Sequence, residues 1–142
     1  EYKNEIQSLK IVTSRTLTSG NKLAILSLGK IGTEAQKAIR TNDLASDVTH
    51  VDARFMKPLD LSKISEILRS FDTIITVEES CLLGGFGQQI KAIAQDSLYK
   101  GTITSLGLPD VFAEHGEIDE LRAKYDIDAE RIGRVITELT GN

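Results

Sequence analysis

The chain has 142 residues with 17 basic and 21 acidic side chains, a formal charge of −4, and 40% of its residues are hydrophobic. A single soluble domain of this length buries roughly two thirds of its unfolded surface without disulfide or metal staples, and the negative charge argues against a broad nucleic-acid or anionic-membrane surface. One cysteine, Cys81, excludes an internal disulfide framework and every multi-cysteine zinc site, and the lack of a signal-type start or of an apolar run near ~18 residues points to the cytoplasm and away from a membrane.

The sequence begins at Glu1 rather than a methionine, which points to a piece of a longer polypeptide. Residues 1–21 carry the stretch SLKIVTSRTL (8–17) and a turn-like segment; the stretch either pairs as an antiparallel edge strand or is a linker from a preceding domain. Residues 22–28 (KLAILSL) form a mostly apolar run ending at Gly29, as expected of a strand covered on both faces. Thr33 with Gln36 three residues later has capping-box spacing and predicts a helix through about Thr41. Residues 48–53 read as a second strand. Beyond Pro58, Leu61, Ile64, Ile67, Leu68 and Phe71 recur at helical spacing, with Asp60 as the cap. Residues 73–77 (TIITV) are the most β-branched strand. Gly84, Gly85 and Gly87 lead into a helix stripe of Ile90, Ile93, Ala94 and Leu98, and residues 102–106 give a fourth strand. Two helices close the chain, one around Ile118, Leu121 and Tyr125, the other around Ile132, Val135, Ile136 and Leu139.

Strands separated by helices of this length require parallel neighbours. The predicted fold class is α/β, an open, doubly wound, three-layer sheet over residues 22–142, mostly parallel and with the 8–17 stretch as its one antiparallel candidate.

Ligands of such sheets gather outside the carboxyl ends of the strands. Cys81 lies there, but a nucleophile elbow needs small residues two places either side, and those places hold Glu79 and Leu83. His115 serves as its base only if the fold brings the two together. The GGFG run offers backbone N–H groups to a phosphate, yet it matches neither the P-loop nor the dinucleotide fingerprint; the plainer reading is a positive-φ turn and close packing. Arg54 and Lys57 follow the second strand and suit an anionic ligand, or Arg54 pairs with Asp52 or Glu79. His50 reads as a packed histidine and His115, beside Gly116, as the more exposed one. With two histidines and no ligand spacing, no metal site is expected. Glu78 and Glu79 are adjacent on one strand, so they point to opposite faces and cannot form a facing acid/base pair.

Three segments together carry a family resemblance. DARFMKPLD (52–60) and VEES (77–80) with GGFG (84–87) resemble the C-terminal domain of the thiamine-diphosphate-dependent transketolase superfamily, and GLPDVFAEHG (107–116) with LRAKYDIDAERI resembles its 1-deoxy-D-xylulose-5-phosphate synthases. The resemblance implies a transferase that joins pyruvate, after decarboxylation, to glyceraldehyde 3-phosphate, using thiamine diphosphate and magnesium bound by preceding domains. No Gly-Asp-Gly diphosphate signature occurs in this chain, so no catalytic, cofactor-binding or metal residue carries over and none of these groups is expected in the fragment. What transfers is architectural. The chain is expected to pack on preceding domains of a homodimeric enzyme, with Arg54, Lys57, Glu79, Gly84, Gly85, Gly87 and His115 forming a docking or ligand-peripheral edge. The rival readings are the corresponding domain of a 2-oxo-acid dehydrogenase β chain or a transketolase that contacts a partner, and a self-sufficient cysteine hydrolase or amidotransferase.

Overall fold

A computed structural model describes residues 8–141. Five strands form one sheet: β1 (Arg15–Thr18), β2 (Leu23–Leu28), β3 (Val48–Asp52), β4 (Thr73–Cys81) and β5 (Thr102–Leu108). Their spatial order is β1-β3-β2-β4-β5, with β3, β2, β4 and β5 parallel and β1 antiparallel to β3. Of the two readings of the 8–17 stretch, the edge strand therefore holds for its last residues. Residues 1–7, expected with the rest of 1–21 to be a linker or edge strand from a preceding domain, lie outside the described residues.

The central strands are apolar because both of their faces are covered. Leu23, Ile25, Val48, Ile75 and Val77 pack under α1 (Gly32–Thr41) and α5 (Ala129–Thr140), and Ala24, Leu26, Val51 and Ile74 pack under α2 (Leu61–Ser70) and α3 (Phe86–Asp96). A short helix, α4 (Ile118–Lys124), joins the first of these layers through Tyr125 and Ile127. The buried parts of the predicted stripes are Ile64, Ile67 and Leu68 from α2, Ile90 and Ala94 from α3, joined there by Phe86, and Ile132, Val135 and Ile136 from α5. Leu61, Leu98, Ile118 and Leu139, expected in the stripes, lie at or beyond the helix ends and are exposed. Among the described residues, no helix is long and apolar enough to cross a membrane.

Asp60 caps α2 by accepting from Lys63 N at 3.0 Å, and Asp128 caps α5 by accepting from Arg131 N at 2.8 Å. The capping box expected at Thr33 does not form. The chain turns at Gly29 (φ 87°) and is already helical at Ile31, so the Thr33 hydroxyl donates to Lys30 O at 2.8 Å and no side chain caps α1. A second correction concerns β4, which continues to Cys81 instead of stopping at Val77. An irregularity between Val77 and Cys81 lets the strand keep pairing with Leu108 past the end of its β-branched run. Cys81 is thus the last residue of a strand and not part of the turn after it.

Candidate functional site

The two middle strands send their helices to opposite sides: α1 follows β2 onto one face and α3 follows β4 onto the other. A crevice opens between their carboxyl ends, the usual ligand position in this architecture. The register pairs Leu28 with Glu78, which brings Glu78 and Glu79 to that point.

Glu78 turns toward α3 and is buried. Its Oε2 accepts from Phe86 N at 2.7 Å and its Oε1 from Gly87 N at 2.8 Å, and the Ser80 hydroxyl donates to Oε2 in a short contact. The free N–H groups and positive end of α3 are therefore satisfied by the chain's own carboxylate, in the place where a phosphate would bind. The glycines make this closeness feasible. Gly84 adopts φ 75°, and Gly85 lies against Cys81 O and the Glu78 carboxylate. A Cβ on Gly87 would stand 2.5 Å from Thr76 Oγ1 and 2.6 Å from Ser105 Oγ. The close-packing reading of GGFG is the one this geometry supports.

Glu79 turns to the opposite face and meets Arg122, a residue the sequence reading missed. Arg122 Nε and Nη2 donate to Glu79 Oε1 at 3.0 and 2.5 Å, and Nη1 donates to Glu34 Oε1 at 3.3 Å, with Asp119 Oδ1 at 3.6 Å. The residue is only 6% exposed. Burial opposes its charge, but Glu79, Glu34 and Asp119 outweigh that and hold the guanidinium pKa above its ordinary value. Arg122 thus ties α4 to the first turn of α1 and to the end of β4. The available signal was the i,i+3 spacing of Asp119 and Arg122 on a short helix; the partners that matter are far off in sequence. The cluster forms part of the wall of a hollow of about 440 Å³ between α1, α4 and α5, lined by Glu34, Lys37, Asn42, Asp119, Arg122 and Glu130 among others.

The other candidates are spread along the carboxyl edge. Arg54 is half-buried with φ 59°, and its backbone N donates to Asp52 Oδ1 at 3.0 Å. Neither carboxylate proposed for its side chain takes it: Asp52 Oδ2 faces Arg15 Nη2 at 3.5 Å and Glu79 is held by Arg122. Ala53 N still donates to Ser27 O at 2.8 Å, so the chain leaves the sheet at Arg54, where φ turns positive. Lys57 and His115 are exposed. Cys81 Sγ lies 3.9 Å from Asp110 Oδ1, a contact of a weak S–H donor, and no contact joins it to His115 among the described residues. Arg54 and Lys57 follow β3, whereas Glu79, Gly84, Gly85 and Gly87 surround the β4–α3 turn, so β2 separates the two groups. These six residues therefore do not converge on one pocket, and His115 lies in the exposed segment after β5. Among the described residues no group of three His, Cys, Asp or Glu side chains is placed to hold a metal.

His50 is the packed histidine its mid-strand position suggested. It is fully buried, with Nε2 2.8 Å from Ser27 Oγ, and its Nδ1 has no hydrogen-bond partner. Burial, opposed only by nearby Asp52, pushes its pKa down to about 4.

Residues 13–132 match the family model described as transketolase, C-terminal domain. The chain is 36% identical over 143 residues to a 1-deoxy-D-xylulose-5-phosphate synthase of Cytophaga hutchinsonii, covering 99% of this chain and 22% of that protein. It is 37% identical over 138 residues to the protein of the same name from Phocaeicola vulgatus, covering 96% of this chain and 22% of that one. The chain thus spans about a fifth of the length of these relatives. Among solved structures it resembles a split-gene transketolase described as an inactive β4 tetramer, with a TM-score of 0.82 at 22% identity over 94% of this chain and 44% of that chain. It also resembles the transketolase of Leishmania mexicana, with a TM-score of 0.63 at 16% identity over 90% of this chain and 18% of that chain. At those identities the likeness is one of fold.

Proposed function

This chain belongs to the transketolase C-terminal domain family, and on that premise we propose that it is the C-terminal structural domain of a 1-deoxy-D-xylulose-5-phosphate synthase. The longer enzyme condenses pyruvate, with loss of carbon dioxide, and glyceraldehyde 3-phosphate, for isoprenoid and thiamine biosynthesis, and works as a cytoplasmic homodimer. Residues 22–142 are the domain proper and residues 1–21 supply its edge strand and the link to the domains before it.

The observation that carries this reading is that the crevice is filled from within. Glu78 occupies the anion position at the start of α3, and Arg122 with Glu79 and Glu34 occupies the opposite side. These residues do not fit thiamine diphosphate: the N–H groups that suit a diphosphate are already bonded to a carboxylate, and the neighbouring charges are largely acidic. The cofactor and its magnesium belong to the preceding domains. Arg54, Lys57, Glu79, Gly84, Gly85, Gly87 and His115 then form an edge that meets those domains, with Arg54 and Lys57 supplying unpaired positive charge.

Calorimetric titration of this chain with thiamine diphosphate and Mg²⁺ tests the reading. The expected result is no saturable heat, with turnover of pyruvate and glyceraldehyde 3-phosphate seen only for the longer polypeptide. Micromolar binding to, or turnover by, these 142 residues would overturn it.

A further inference from the structure

β5 ends at Leu108, and the chain then runs exposed from Pro109 to Glu120 before Arg122 returns it to the interior. This strap carries Val111, 57% exposed, and Phe112, whose side chain is wholly exposed. Polar side-chain contacts hold it at two exposed points, Asp110 Oδ1 at 3.9 Å from Cys81 Sγ and Glu114 Oε2 at 2.7 Å from Lys124 Nζ.

A single apolar side chain in water needs no partner, but here several share one edge of the sheet, as at an interaction surface. Leu83, in the β4–α3 turn, stands exposed at the same carboxyl edge as Val111 and Phe112. Leu61 opens α2 at that edge on the other side of the sheet, and Leu9 and Ile11 lie on the exposed segment that leads to it. Leu98, in the α3–β5 turn, lies at the opposite, amino edge.

The direction of β1 identifies what covers the carboxyl edge. β1 runs antiparallel to β3, with Arg15 paired to Asp52 at the carboxyl end of β3, and Ser14 N and Oγ each donate to Asp60 Oδ2 at 2.9 Å. Polypeptide ahead of Ser14 therefore arrives at the edge from which the strap projects. This chain makes up 22% of each of the two synthases compared above, so in the reading of it as a C-terminal domain most of the longer protein lies on that side.

We propose that the strap is a docking arm and that Phe112, with Val111 beside it, is its anchor, seated in an apolar pocket of the polypeptide that precedes this domain. An aromatic side chain at the tip of a tethered segment is the kind of group that dominates such contacts. The proposal rests on the C-terminal-domain reading and adds an apolar anchor to the polar edge assigned there. His115 follows three residues later in the same strap, so seating Phe112 also fixes where that imidazole stands.

Hydrogen-exchange mass spectrometry of residues 109–117, in this chain and in the longer polypeptide, tests it. Exchange is expected to be fast in the chain and about 10-fold or more slower in the longer polypeptide. There, Phe112→Asp removes the protection and Phe112→Ala, which adds no charge, shifts it the same way, while Leu98→Asp at the amino edge leaves it within about 2-fold. In this chain Phe112→Asp leaves the urea unfolding midpoint unchanged, because the ring is already in water. Equal exchange in the two proteins, protection that survives both Phe112 variants, or protection lost equally with Leu98→Asp overturns the proposal. The readout is independent of turnover: a longer protein that consumes pyruvate and glyceraldehyde 3-phosphate with an unprotected strap keeps the function reading and sinks the anchor, and a protected strap in a protein without that activity does the converse.

Discussion

Glu78 Oε2 lies 2.7 Å from Phe86 N, and this bond, with its neighbour from Gly87 N to Oε1, makes a strand residue the N-terminal anion of the next helix. One carboxylate thereby fixes the angle between β4 and α3 and removes the helix end from use by a ligand. Glu78→Ala strands buried N–H groups and is expected to cost about 2–4 kcal/mol in urea unfolding. Glu78→Gln keeps only one acceptor oxygen and loses the charge facing the helix dipole, so it should cost about 1–2 kcal/mol. An alanine variant as stable as the parent chain would show that water satisfies those groups equally well.

Arg122 poses the same question on the other face. Its side chain is buried while Glu79 remains about a third exposed, so water recovers part of what a truncation loses. Arg122→Met is expected to destabilise the chain by about 1–3 kcal/mol and to speed amide exchange in α4. Arg122→Lys should rescue little, because a single ammonium cannot reproduce a fork that reaches Glu79 and Glu34 together. Hydrogen-exchange mass spectrometry of the two variants gives the comparison.

What could be read from the residues divides along sequence distance. The apolar runs of β2 to β5, the Asp60 cap and the opposite facing of Glu78 and Glu79 depend on local periodicity and were legible. The start of α1 was not, because Thr33 has the right chemistry for a cap while the turn set by Gly29 enters the helix two residues earlier. β4 outran its β-branched core because pairing with β5 continues past an irregularity, which no single-strand pattern encodes. Arg122 was the main omission: its partners Glu79 and Glu34 lie 43 and 88 positions away. A charged residue inside a short helix reads as solvated until the fold supplies carboxylates over it. The GGFG run was ambiguous for a related reason, since a glycine needed for a ligand and one needed for Thr76 and Ser105 look alike in sequence.

That distinction can be measured at Gly87. Thr76 Oγ1 donates to Ser105 Oγ at 2.9 Å directly beneath it, and an added methyl would press on both hydroxyls. Gly87→Ala is expected to cost about 1–3 kcal/mol by overpacking. Ser105→Ala in the same chain removes one of the obstructing oxygens, so the double variant should be less destabilised than the sum of the single changes by about 0.5–1 kcal/mol. Strict additivity in the double-mutant cycle would mean that the cost arises elsewhere, in the helix start itself.

His50 supplies a pH dependence whose sign follows from its burial. In the unfolded chain its imidazole takes up a proton below about pH 6.5, whereas in the folded chain it resists until about pH 4. Between those values the unfolded state binds more protons, so folding stability falls as the pH falls; above pH 6.5 and below pH 4 this group contributes no slope. The whole window is worth about 3 kcal/mol at 1.36 kcal/mol per unit. Asp60, whose burial is outweighed by hydrogen bonds from Ser14 and Lys63 that hold its pKa low, loses stability over a more acidic range and in the same direction. The histidine's share is isolated by His50→Leu, which cannot titrate. The parent chain should lose about 2–3 kcal/mol more than this variant between pH 7 and pH 4.5 in denaturant unfolding. Equal losses in the two chains would mean that His50 becomes charged in the folded state near its ordinary pKa, and that the interior around Ser27 admits enough water to solvate it.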